Sequence, residues 1–130
     1  MRRLDQAGRL LLAAAGEEDL LEPRPDAPPL SDARFGFHCR QAVEGLLMAL
    51  LSTCGVRVAE AHSIRILLDQ ISDAGIPIPT AFQTLDRFAP FGAAAGSEGV
   101  PSGVTLERRH AREQVRALRR WVESHVEVIA

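Results

Sequence analysis

Apolar and polar positions divide this chain into helical stretches separated by proline or glycine. Between Ser31 and Gly55, Phe35, Cys39, Ala42, Leu46, Ala49 and Leu50 recur at three- and four-residue spacing. Val43, Leu47, Leu51 and Cys54 widen that stripe past an ordinary amphipathic face, which predicts a central helix covered on most sides. Ser31 is a suitable N-cap, Asp32 stands in the first turn, and Gly55 supplies a left-handed residue to stop the helix.

Other stretches predict helices packed around it. Leu4, Ala7, Leu11, Ala14 and Ala15 mark one face of a first helix running to about Leu21. Glu17, Glu18 and Asp19 oppose the dipole at its end, so its last turn is expected to fray. Pro23, Pro25, Pro28 and Pro29 form a non-helical linker. Ser63 caps a third helix that turns Ile64, Leu67, Leu68 and Ile71 inward and closes at Gly75. Thr80 is read as the cap of a short fourth helix carrying Phe82, Leu85 and Phe88. Pro90 to Val104 reads as a loop. Thr105 is read as the cap of a long last helix whose inner face is Ala111, Val115, Leu118, Val122, His125 and Ile129. Trp121 falls off that stripe and suits either the flank of the core or a subunit contact.

The fold class is therefore all-α: a single domain over residues 1–130, an up-down bundle of four to five helices with two long antiparallel ones. No strand pattern, internal repeat or solenoid period is present.

Composition narrows the function classes. The net charge of −2 gives no whole-molecule positive field for nucleic acid, although a local patch is compatible with it. All 15 basic residues are Arg, while Lys, Asn and Tyr are absent, a pattern closer to codon bias than to a recognition code. The two cysteines, Cys39 and Cys54, stand about 22 Å apart along one helix at 1.5 Å rise per residue. They cannot pair there and read as small buried hydrophobes in a reducing compartment. Leu10 to Ala15 is too short for a secretory core or a membrane span, so a cytoplasmic chain without a membrane segment is expected.

Candidate chemistry gathers early in the central helix. His38, Gln41 and Glu44 follow one another at three-residue spacing. As ligand-binding candidates they would line a groove facing a nucleotide or RNA. As structural residues they would satisfy one another and nearby backbone in a buried network, which buried polar groups require in any case. One His and one Glu six residues apart do not share a face, so no metal site is expected, and no cofactor either. With no strands, the strand-based phosphate loop and nucleophile-elbow templates do not apply.

The run Phe37-His38-x-x-Gln41-Ala42-x-Glu44, continuing through Leu47, Ala49, Leu50 and Leu51 to Gly55, resembles the central helix of the HEPN domain family, the higher eukaryote and prokaryote nucleotide-binding domain. His62 with Leu67 and Leu68, the segment from Leu85 to Ala89, and the last helix with Trp121-Val122 follow in the family's order, so the resemblance spans most of residues 4–128. It implies a helical bundle that dimerises, and in many prokaryotic members a partner nucleotidyltransferase, the two acting as a toxin and antitoxin. Other members are ribonucleases that depend on an Arg followed a few residues later by His, brought together with its copy across a dimer. Two Arg-x4-His matches occur here, Arg57 with His62 and Arg120 with His125, and Arg119 precedes His125 by one residue more. On a helix Arg120 and His125 point about 140° apart. The chain also has Gly45 and Met48 where the family usually carries lysines, and FGAAAGSEG where an Arg-Tyr pair is expected. The expectation is a homodimeric HEPN-like module that partners a nucleotidyltransferase and lacks an intact ribonuclease motif. Enzyme activity is left open with the balance against it. The alternatives are a divergent, metal-independent HEPN endoribonuclease, with Arg120 and His125 as its catalytic candidates, and a nucleotide-binding regulator.

Overall fold

A computed structural model describes residues 3–59, 63–91 and 106–129. Among these residues every regular element is helical: α1 (Arg3–Asp19), α2 (Asp32–Thr53), α3 (Ile64–Asp73), two 3-10 turns (Thr80–Phe82 and Leu85–Phe88) and α4 (Arg108–Ile129). The expected all-α bundle is the observed class.

Local chemistry sets most of the boundaries. Ser31 Oγ accepts the Arg34 amide at 3.2 Å and opens α2, and Ser63 Oγ does the same for α3 through the Ile66 amide at 3.3 Å. Gly55 and Gly75, at φ 77° and 93°, turn the chain out of α2 and α3 in the left-handed region that other residues avoid. Glu107 opens α4, its carboxylate accepting the amides of Arg109 at 3.1 Å and His110 at 2.9 Å. The bond from His110, with help from Arg109, holds the Glu107 carboxyl below the usual carboxylate range. The cap expected at Thr105 and the loop expected over Pro90 to Val104 fall almost wholly outside the described residues.

The core is α2. Phe35, Cys39, Ala42, Val43, Leu46, Leu47, Leu50 and Leu51 are all buried, and the helix is packed by α1, α3, α4 and the second 3-10 turn. Ile64, Leu67, Leu68 and Ile71 cover it from α3, and Ala111, Val115, Leu118 and Val122 from α4. The α1–α2 pair runs antiparallel: Gln6 meets Ser52 at one end and Glu17 meets His38 at the other. Their axes approach closely at Gly45, where an added Cβ would stand 3.3 Å from Ala14 Cβ. The residue opposite Ala14 is therefore kept small. Arg108 binds Asp32, so α4 begins at the end of the bundle where α2 begins.

Three local expectations are corrected. The short fourth helix is two 3-10 turns, separated at Thr84 (φ −105°, ψ 12°), and Thr80 makes no side-chain cap. Its three apolar residues are nevertheless buried as expected. α1 stops at Asp19, and Leu21 enters the core beyond it. The acidic end of α1 is pinned by bases from elsewhere: Arg119 Nε donates to Glu18 at 2.8 Å, Arg24 to Asp19 at 3.0 Å, and His38 to Glu17. Neighbouring cations outweigh the dipole there.

Candidate functional site

The strip of His38, Gln41 and Glu44 lies on the side of α2 that meets α1, but its members do not bond to one another. His38 Nδ1 stands 2.6 Å from Glu17 Oε1. A carboxylate oxygen accepts, so the imidazole carries its hydrogen on Nδ1, and the ring leans on Phe37 with centroids 5.5 Å apart. Glu44, buried despite its charge, accepts from Arg40 Nε at 2.8 Å. Arg40 in turn donates Nη1 to the Phe91 carbonyl at 3.1 Å, which ties the end of the second 3-10 turn to α2. Gln41 is exposed on the rim of a shallow groove between α1 and α2 that also includes Glu17, Glu44, Gly45 and Met48. The expected mutual network is replaced by two separate pairs. Steps of three residues rotate by 300°, so the set drifts round the helix and each member meets a different neighbour.

Arg120 and His125 are not brought together either. Arg120 is exposed, whereas His125 packs edge-on against Trp121 at 4.9 Å between centroids. Trp121 reaches Phe82 on its other side at 5.4 Å, so its indole covers the flank of the core. Arg57 is exposed beyond α2, and His62 lies outside the described residues. Among the described residues no three His, Cys, Asp or Glu side chains gather as metal ligands would.

Two further polar centres were not visible as sequence motifs. Gln114, buried on α4, accepts both Arg87 Nε at 3.2 Å and Nη2 at 2.8 Å, and donates to the Ala81 carbonyl at 2.9 Å. Burial of that guanidinium lowers the Arg87 pKa from its ordinary value. On the opposite side Arg119 bridges Glu18 and Glu123. Its partial burial works against the charge, but the bonds to Glu18 and Glu123 outweigh it and raise the pKa further. The Cys39 thiol is buried and pushed up to about 12 by desolvation, against the opposing fields of Arg87, Arg108 and Arg112. It is a neutral packing group. Cys39 lies within α2 and Cys54 caps its end, and neither is in a disulfide.

The outer face of α1 differs in kind from these centres. Gly8, Leu12, Ala13, Ala15 and Gly16 are all exposed, and Leu12 keeps 75% of its surface in water. Among the described residues, no packing neighbour of Gly8 or Gly16 comes within 4 Å of where a Cβ would stand, so the packing described does not demand them. By contrast the exposed face of α4 carries Arg109, Glu113 and Arg120, the usual solvated pattern. No helix among the described residues is long and apolar enough to cross a membrane.

Comparison of the chain with protein-family models, with curated proteins and with solved structures finds no match.

Proposed function

We propose that the protein is a HEPN-like helical assembly module that pairs with a second copy of itself and partners a nucleotidyltransferase, without a ribonuclease centre of its own. The observation that carries this reading is the outer face of α1. Gly8, Leu12 and Gly16 fall on one line of the helix, four residues apart, with exposed alanines beside them. Each glycine costs roughly 1 kcal/mol of helix stability relative to alanine. Among the described residues neither is required by a close approach of packing neighbours. Small residues around one protruding leucine let a second helix approach closely, and the same face on another copy is self-complementary about a two-fold axis.

The two pairs at the polar strip support an assembly role over a catalytic one. His38 and Glu44 are occupied by Glu17 and Arg40, and they lock α1 and the second 3-10 turn onto α2. The resemblance to HEPN proteins supplies the nucleotidyltransferase as the partner.

Light scattering after gel filtration tests the first half. A dimer is expected, and Leu12→Glu should convert it to a folded monomer, because two carboxylates cannot be buried face to face. A strict monomer at high micromolar concentration would remove the self-association. Co-purification with a nucleotidyltransferase encoded beside the protein tests the second half. Cleavage of transfer RNA by the purified protein, abolished in His125→Ala, would put the ribonuclease reading in place of this one.

A further inference from the structure

We propose that the cleft between the proline linker and the start of α4 binds a small amphiphilic carboxylate, its apolar tail on the linker and Phe35 and its anionic head on Arg112. The cleft has a volume of about 340 Å³, within the range of small-molecule sites, and its walls include Leu21, Pro23, Ala27, Pro29, Leu30 and Phe35. Prolines fix φ along one wall, and the Ala27 amide closes a turn on the Arg24 carbonyl at 3.5 Å, so less order has to be gained on binding.

The charges around the mouth decide the head group. Four charged side chains line the cleft: Glu22, Arg24, Arg108 and Arg112. Three of them are matched. Glu22 pairs with Arg116 at 3.2 Å, Arg24 with Asp19 at 3.0 Å, and Arg108 with Asp32 at 2.5 Å and with the Leu30 carbonyl at 2.6 Å. Arg112 is half-buried and, among the described residues, has no hydrogen-bond acceptor and no carboxylate partner. The nearby Cys39 thiol feels its field but is neutral and offers no counter-charge.

Backbone electrostatics add to the imbalance. The first turn of α4 contains Arg108, Arg109 and His110 and no acid, at the end where the helix dipole is already positive. Asp32 and the capping Glu107 answer part of that charge, and the guanidinium facing the cleft is left over. A planar fork of donors beside an apolar slot matches a carboxylate on a short hydrocarbon tail. A neutral apolar compound would leave Arg112 uncompensated, and a bare small anion would forgo the slot. This site shares no residue with the outer face of α1 and does not depend on self-association.

Calorimetric titration of the full chain with octanoate, 1-octanol and acetate tests the proposal. Octanoate should bind one to one, with octanol weaker by roughly tenfold, since a charge-assisted hydrogen bond contributes about that factor, and acetate weaker by roughly tenfold or more, since it lacks the methylenes that fill the slot. Arg112→Gln should weaken octanoate by a similar factor and leave octanol unchanged, and Arg112→Lys should recover part of the loss. Because Arg112 supports no hydrogen-bonded or ion-pair partner among the described residues, both variants should melt with the wild type. Absence of octanoate binding at millimolar ligand, equal binding of octanol, or full octanoate affinity in Arg112→Gln would each overturn the assignment. If a variant fails to fold, the three-ligand comparison on the wild-type protein still decides.

Discussion

Gly36 sits in the second turn of α2 where a Cβ would fall inside the ring of Phe91, against Cγ, Cδ1 and Cε1. Gly36→Ala therefore sets two effects of opposite sign against each other. Alanine in a helix interior gains about 1 kcal/mol over glycine. The phenyl ring, only 1% exposed in its present seat, must leave it, since the overlap involves the ring atom nearest the backbone and not a flexible tip. Displacing a fully buried phenylalanine forfeits about 2–3 kcal/mol, so the net change should be a loss of about 1–2 kcal/mol. Removing the ring reverses the sign. In a Phe91→Ala background, itself about 3 kcal/mol less stable, Gly36→Ala should stabilise by about 0.5–1 kcal/mol because only the propensity remains. The coupling between the two sites is then about 1.5–3 kcal/mol, measured by urea unfolding of all four members of a double-mutant cycle. A stabilising Gly36→Ala in the wild-type background, or the same cost in both backgrounds, would refute the reasoning. The site matters beyond stability because the Phe91 carbonyl anchors Arg40, and Arg40 holds the buried Glu44.

The remaining expectations concern the core thiol and the α1–α4 clasp. Since the Cys39 thiol is raised to about 12 by burial while an unfolded cysteine ionises near 9, the unfolded state loses its proton first as pH rises. Its contribution to stability is intact below pH 9 and falls by about 1.4 kcal/mol per pH unit from there toward 12; urea midpoints from pH 8 to 10.5 should show that slope flattened in Cys39→Ala. Arg119→Ala leaves Glu18, whose side chain is only 17% exposed, without its cation, and should cost about 1–2 kcal/mol, with most of the loss recovered by adding Glu18→Gln. A Glu18→Gln addition that recovers nothing would place the cost in lost packing of the arginine stem.

Elements built from near neighbours were legible in the chain alone. The breadth of the apolar stripe in α2, the serine caps and the glycine stops are encoded at offsets of one to four residues, which is the range over which a helix repeats and caps itself. The breadth of that stripe also announced that α2 would be enclosed. The polar strip was legible as a set of residues, but its bonding was not. His38 takes Glu17, 21 positions away, and Glu18 takes Arg119, 101 positions away. Spacing favoured bonds inside the strip because a local pattern ranks only local partners. The acids closing α1 show the same limit: read alone they oppose a dipole, and in the bundle they accept hydrogen bonds from Arg119, Arg24 and His38.

Whether an exposed glycine is a flaw or a surface, and whether an arginine is paired or left over, was decided only in three dimensions. Gly8 and Gly16 gain meaning from the empty space around them, and Arg112 from the pairing of every other charge at its cleft. The sequence by itself determined an all-helical chain wrapped on α2, because burial follows from the period of apolar residues. Only the tertiary structure decided which charges neutralise one another, since electrostatic pairing depends on distance through space, and helix packing sets that distance without regard to separation along the chain.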